Sequence, residues 1–408
     1  MNIISFKNNN IYKNIFPVDE NEREINIYKL ENIIVTGINL YYPNVLLKTE
    51  TKTDELVLPL LERTMSLKSG TIYEKYNMKY DFVENIINNK YTNPLFFFIY
   101  NTDNYFHFLY DSLPYLISYL QLKKDIPNIK LLMQFPNEQK NDFYPFIYEF
   151  LEILNITKKD IILIDKNTIY TEIYISTSYT HDIDSNLPPR REIYDFYQDM
   201  VSIVSQKLSK KIIKTPNKIY ISRRTWLHND FSNIGTNYTT RRKLVNEDEL
   251  VIYLKSDGYE EIFTENLTTI EKIVYFANAT HIVGAIGGGI SNVLFSPKTT
   301  KLEVLVSPTF LDVNNRFKYS LDCVDVHYNY NSEHVENTEF KTYMRVKLKD
   351  GTIVGEIENI MNNKLLISYT DGSNTGWNSE NNYKQMEVNI REVEKLDNGL
   401  NSPWKVFI

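Results

Sequence analysis

Apolar and polar positions along this chain fall into two rhythms: short unbroken apolar runs of strand length, and apolar residues three and four apart at helical spacing. The strongest run is 94–100 (PLFFFIY), the continuous pattern of a strand buried on both faces. Polar residues at 101–104 interrupt it with N-cap candidates. Positions 105–122 then follow a helical period, with Pro114 placed to kink that helix or divide it in two. Further runs predict strands at 130–134, 160–164 and 172–176, with a helix over 144–154. Before residue 90 the signals are weaker, strand-like at 33–35 and 56–60.

A polar, proline-rich stretch at 181–191 (HDIDSNLPPRR) reads as a hinge, and a helix over 192–208 follows. The alternation then restarts. Strands are expected at 218–222, 260–263, 281–285 and 301–306, and helices at 247–256, 269–278 and 291–295. Three consecutive glycines, Gly287, Gly288 and Gly289, stand where strand 281–285 hands over to the short helix. Alternating strands and helices predict α/β units with largely parallel sheets, and two in tandem put a ligand cleft between them. The expected domains are 1–190 and 191–335. From about residue 340 the pattern changes to β-type alternation with Asp350-Gly351 and Asp371-Gly372 as hairpin turns, so 340–408 reads as a small Tudor-like β-barrel.

Composition narrows the choices. The chain has 408 residues, 42% hydrophobic and 24% charged, with a net charge of -7 and no long basic block, which argues against a duplex nucleic-acid binder. The acidic surroundings of the β tail and its lack of a basic aromatic stripe argue against single-stranded nucleic acid as well. The one cysteine, Cys323, excludes an intramolecular disulfide and fits a reducing compartment. The amino-terminal MNIISFKNNNIYKN lacks the apolar core of a signal peptide, and no run is long enough to span a bilayer, so a cytoplasmic location is expected.

Candidate chemistry collects at four places. His107 and Asp111, four apart, share a helical face, and a carboxylate there can orient the imidazole as a general base. Arg223 follows a buried strand and points into the cleft with a fork suited to a diphosphate, whereas Arg224, Arg241 and Lys243 read as solvated. The triple glycine lets backbone approach a ligand, and the helix after it offers N–H groups to an anion, although the spacing is not the dinucleotide fingerprint. Glu303 lies inside an apolar strand, and burying it requires a partner, a ribose hydroxyl or an arginine. Asp182 and Asp184 have the spacing of an acidic metal motif but sit in the hinge, and His181, His228, His281, His327 and His334 lack zinc-ligand spacing, so no metal site is expected.

Three blocks, NYFHFLYDSLPYL (104–116), IYISRR with RRKLVNEDEL (219–250) and FANATHIVGAIGGGISNVLFSPKTTKLEVL (276–305), together resemble glycosyltransferase family 61. The resemblance implies a GT-B fold, two Rossmann-like domains facing across a cleft, with the nucleotide-sugar on the C-terminal one and transfer without a metal or other cofactor. On it, His107 and Asp111 match the acceptor-side motif and Arg223 the arginine after the strand. Arg242, Asn246 and Glu247 match an R-x-I-x-N-E element. Gly287, Gly288, Gly289 and Asn292 match the glycine turn, and Glu303 the closing carboxylate. The chain departs from the family at Ile286, where many members carry histidine, and in a longer interval over 225–240.

The expected activity is transfer of a sugar from a nucleotide diphosphate, with UDP as the nucleotide, to a hydroxyl of a glycan or glycoprotein, with inversion. The alternative is a catalytically silent α/β scaffold that binds glycans or nucleotides. In either case the β tail is expected to serve self-association or docking.

Overall fold

The computed structural model describes residues 2–4, 11–16, 23–36, 45–48, 55–57, 89–98, 104–135, 142–165, 167–180, 189–208, 213–224, 244–308, 315–335, 345–351, 353–361, 364–370, 383–395 and 404–407. They form a mixed α/β protein built on two large sheets. The first has eight strands: β1 (Ile11–Phe16), β2 (Ile25–Thr36), β3 (Val45–Lys48), β4 (Asn89–Tyr91), β5 (Leu95–Phe97), β6 (Lys130–Met133), β7 (Ile161–Leu163) and β8 (Thr168–Ser176). Its main path runs β1-β2-β8-β5-β6-β7. Strands β8, β5, β6 and β7 are mutually parallel, while β2 joins β8 antiparallel. The central β5 is buried at every position, as its unbroken apolar run requires.

The second sheet has five parallel strands: β9 (Lys218–Ile221), β10 (Glu260–Ile262), β11 (His281–Ala285), β12 (Lys301–Leu305) and β13 (Asp325–Asn329). Its order is β10-β9-β11-β12-β13. Chain order therefore reverses between β9 and β11, the topological switch point at whose carboxyl edge open α/β sheets bind ligands. Ile221 is level with Gly284 across that pair, so the chain leaves both strands side by side, toward Arg223 on one and the triple glycine on the other.

Helices tie the two sheets together. These are α1 (Tyr105–His107), α2 (Tyr115–Asp125), α3 (Pro145–Ile153), α4 (Glu192–Lys207), α5 (Glu247–Ser256), α6 (Thr269–Asn278) and α7 (Asn315–Leu321). The expected helix over 105–122 is divided, as Pro114 demands, with Pro114 at the N-cap of α2. The break is wider than one proline explains, because Phe108–Ser112 forms a π-helical turn between α1 and α2. A π turn leaves a carbonyl without its usual helical donor, and the Tyr197 hydroxyl from α4 donates to Leu109 O. Tyr197 also packs edge-on to Phe295, and Gln198 donates to Leu294 O at 3.1 Å, so α4 binds both units. One continuous core runs from Phe96 and Leu131 through α4 to Ile219, Ile282 and Val304.

The C-terminal strands β15 (Arg345–Leu348), β16 (Val354–Met361), β17 (Lys364–Thr370), β18 (Tyr383–Asn389) and β19 (Val393–Lys395) form an antiparallel sheet in the order β18-β17-β16-β15-β19. Its core is its own, around Val346, Ile357, Leu365 and Ile367. Among the described residues the sheet is open: no pairing joins β18 to β19, so the expected barrel is not closed. Beyond it the chain returns to the second unit. Strand β20 (Trp404–Val406) pairs antiparallel with β14 (Ser332–His334), and Trp404 packs among Tyr220, Leu244, Val283 and Leu305. Among the described residues no helix is long and apolar enough to cross a membrane.

Candidate functional site

The site begins where β9 ends. Ile219, Tyr220 and Ile221 are buried, and the chain then turns through Ser222 to Arg223. One oxygen, Glu247 Oε1, accepts from the Arg223 amide at 2.6 Å, the Tyr220 hydroxyl at 2.8 Å and Ser222 Oγ at 3.2 Å. Glu247 is the first residue of α5 and only 1% exposed. Burial raises its carboxyl pKa, and the Arg223 amide, the Tyr220 hydroxyl and the Arg223 charge oppose that shift. The Arg223 guanidinium reaches the neighbouring turn, where Nη1 donates to Ile286 O at 3.0 Å. Burial lowers the pKa of Arg223, while Glu247, Tyr220 and Glu265 counter it.

The triple glycine follows β11. Gly289 has φ -62 and ψ -46, a right-handed helical backbone that any residue accepts, so its need for glycine is spatial. A Cβ there would lie 2.8 Å from Thr264 Oγ1 and 2.9 Å from Ile221 Cγ2. At Gly287 a Cβ would stand 3.0 Å from Arg223 Nη1, whereas at Gly288 it would meet Tyr105 Cδ1 at an ordinary 3.9 Å. All three glycines are half-buried, and among the described residues none of their amides donates a hydrogen bond. Three adjacent N–H groups must therefore be satisfied by water or by a ligand.

His107 enters from the first unit. Asn104 caps α1 by accepting from the His107 amide at 3.2 Å. His107 Nδ1 meets Asp111 Oδ2 at 2.7 Å, and Thr180 donates to the other Asp111 oxygen at 3.3 Å. An ionised carboxylate only accepts, so the pair holds the proton on Nδ1 and makes Nε2 the basic nitrogen. Two neighbours bring this segment onto the second unit. The Tyr105 hydroxyl donates to Asn292 Oδ1 at 2.5 Å, and Phe106 stacks on Phe317 of α7 at 3.8 Å between centroids.

The structure thus brings together Arg223, Glu247, the triple glycine and Asn292 through shared contacts, and Tyr105 joins to them the segment that carries His107 and Asp111. Asn292 is fully buried, and its amide nitrogen donates to Gly289 O at 2.8 Å. Other residues stand elsewhere. Asn246 grips the backbone of Val406 in both directions, at 2.7 and 3.2 Å, and the Val245 amide donates to Trp404 O at 2.8 Å. Glu303 finds neither an arginine nor a ribose in this structure but Asn329 on the adjacent strand, at 2.9 Å. Arg224 is not a solvated charge: it is held by Glu261 and Asp248, each at 2.6 Å. Ile286 is buried in the main core with only its carbonyl turned to Arg223. Arg241, Arg242, Lys243, His181, His228, Asp182, Asp184 and the Asp371-Gly372 turn lie outside the described residues. Among the described residues no group of three or more His, Cys, Asp or Glu side chains is placed to hold a metal.

Sequence reasoning missed Tyr105 and Lys272. Tyr105 reads as one more apolar position of its helix, although it stands two residues before His107. Lys272 carries no motif that singles it out, yet its ammonium lies over the Tyr105 ring, 4.7 Å from the centroid.

With this geometry in view, the chain matches the family described as Glycosyltransferase 61 over residues 105–302. No curated protein matches the chain. The matched span starts at the tyrosine that touches Asn292 and takes in Arg223, the triple glycine and Asn292 itself.

Proposed function

We propose, from the match of residues 105–302 to the family described as Glycosyltransferase 61, that the chain moves a sugar from a nucleotide diphosphate, UDP for preference, to a hydroxyl of a glycan or glycoprotein. In this reading residues 1–190 and 191–335 are the acceptor and donor halves of a GT-B architecture. The observation that carries it is the convergence, at the switch point of a parallel sheet, of Arg223 with three unspent backbone amides, to which Tyr105 ties the segment carrying the His107–Asp111 pair.

The chemistry assigned to these groups is a single displacement with inversion. The acceptor oxygen forms a bond to the anomeric carbon as the bond from that carbon to the diphosphate oxygen breaks. The acceptor proton passes to His107 Nε2, and the electron pair of the broken bond leaves on the diphosphate. Arg223, Arg242 and the amides of the triple glycine stabilise that charge, which grows as the transition state is reached. No resident metal or cofactor is assigned a part. Asp111 orients and supports the imidazolium as it forms. Glu247 is a positioning residue, since it fixes the backbone from which Arg223 extends. Asn246 and Glu303 border the donor half, and Glu303 would exchange Asn329 for a ribose hydroxyl when the nucleotide binds.

A panel of nucleotide-sugars tests this reading, with slow donor hydrolysis and transfer to mixed glycan acceptors followed by mass spectrometry. Turnover of one donor series, with release of the nucleoside diphosphate, is the expected outcome. Binding without hydrolysis or transfer across the panel would favour the silent scaffold.

A further inference from the structure

Lys272 occupies a position that costs the fold and is only partly compensated within it. It is the fourth residue after the Thr268 cap of α6, close to the helix N-terminus, where the dipole disfavours a positive charge. It is half-buried, and burial lowers its pKa to about 8 against the raising influence of Glu149 and Glu265. Among the described residues its ammonium makes no hydrogen bond and no ion pair; its one close partner is the face of Tyr105. Glu149 is already engaged, accepting from the Thr269 amide at 2.8 Å.

Its surroundings belong to the glycine turn. The Tyr105 ring beneath it is the surface that a Gly288 side chain would meet, and the Tyr105 hydroxyl holds Asn292. Glu265 acts electrostatically on both Lys272 and Arg223, so the two cations share one anionic neighbour. Arg223 meets the turn at Gly287, and Lys272 lies over the Tyr105 ring, whose edge stands beside Gly288.

We propose that Lys272 is a second cation of the diphosphate site, held over Tyr105 to meet the anionic leaving group beside the glycine turn. This rests on the donor reading above and extends it by a named residue. It also gives the turn a mobile positive charge, which a planar, fixed Arg223 does not supply: the ammonium is a compact charge on a flexible stem that follows the phosphate as the bond to the sugar breaks.

Calorimetric titration of the full chain with UDP, GDP and pyrophosphate tests it, alongside thermal unfolding. Lys272→Met should weaken UDP and pyrophosphate binding roughly tenfold or more, the value of a charge-assisted contact to phosphate. Its Tm should stay unchanged or rise, because a partly buried cation without an ion pair has been removed. Lys272→Arg should bind within about threefold of the unmodified chain, since the charge is kept. Unaltered anion affinity in Lys272→Met overturns the inference and leaves the diphosphate site standing. So does a fall in Tm in Lys272→Met with normal affinity in a stably folded Lys272→Gln. Failure of the unmodified chain to bind any of the three anions overturns the diphosphate site itself, and this inference with it.

Discussion

The phenol of Tyr105 donates to the side-chain carbonyl of Asn292 at 2.5 Å, and Asn292 in turn donates to the carbonyl of Gly289 at 2.8 Å. A single relay therefore links the segment carrying His107 to the turn beside Arg223. Tyr105→Phe leaves a fully buried amide oxygen unsatisfied, which should lower stability by about 1–3 kcal/mol. A double-mutant cycle with Asn292→Ala, read by urea unfolding, should show a coupling energy of about 0.5–3 kcal/mol. Strict additivity of the two changes would mean that the relay carries no energy.

His107→Ala should sharply reduce transfer yet leave nucleoside diphosphate affinity unchanged, because the imidazole is held by Asp111. A general base contributes a factor of about 100 to 10,000, so the remaining rate should fall within that range below the original. Single-turnover assays beside calorimetry separate the two effects. Near-normal turnover would remove His107 from the mechanism.

The three glycines should differ sharply. Gly289→Ala places a methyl group 2.8 Å from Thr264 Oγ1 and 2.9 Å from Ile221 Cγ2, an overpacking that should cost about 1–3 kcal/mol. Gly288→Ala meets only Tyr105 at 3.9 Å and should fold with nearly the original Tm. Thermal melts of both variants decide this. Equal melting of the two would show that the turn relaxes freely.

Glu247→Ala strips one acceptor from three donors at once, the Arg223 amide, Tyr220 and Ser222. A loss of roughly 2–4 kcal/mol is expected from leaving such groups unpaired in the core, together with weaker binding of the nucleoside diphosphate as Arg223 loses its backbone anchor. Glu247→Gln keeps the accepting oxygen and should lose much less of both. If the two variants proved alike in urea melts, the shared oxygen would not be the anchor.

Lys272 gives affinity and stability opposite pH dependences. Its folded pKa is lowered to about 8 from an ordinary 10.5. As pH rises through 8 the folded protein loses this charge, so pyrophosphate affinity should fall between about pH 7 and 9. Over the interval from about 8 to 10.5 the unfolded chain holds more protons at this lysine than the folded one does, so this group's contribution to stability rises with pH. Titrations and melts across pH 7–10 check both signs. In Lys272→Met the affinity decline should flatten.

Much of this was legible in the sequence because it rests on local patterns. The apolar run that became β5, the helix broken at Pro114, the His107–Asp111 pair and the α/β alternation from Lys218 to Leu305 each follow from short-range periodicity. What was not legible depends on residues far apart in the chain. The relay from Tyr105 to Asn292 spans 187 positions, and the grip of Asn246 on Val406 spans 160. Lys272 was missed for the same reason, since nothing in its own helix says that an aromatic ring from another unit lies beneath it. Glu303 was rightly read as needing a partner, but a neighbouring strand supplied Asn329, a pairing set by sheet order and not by spacing. The π-helical turn also escaped detection, because it is fixed by packing against Tyr197.

The return of β20 to the second unit has a consequence for how the protein is made. Trp404 covers Tyr220, Leu244, Val283 and Leu305, of which even the last-made, Leu305, is synthesised about a hundred residues earlier. At a usual elongation rate of about 5–20 residues per second, that apolar face waits roughly 5 to 20 s on the ribosome before its own cover is translated. Throughout that interval Asn246 lacks the strand it grips, and the helix start that steadies Arg223 is incomplete. The nascent chain therefore presents a sticky, half-finished sheet of the kind that holding chaperones bind.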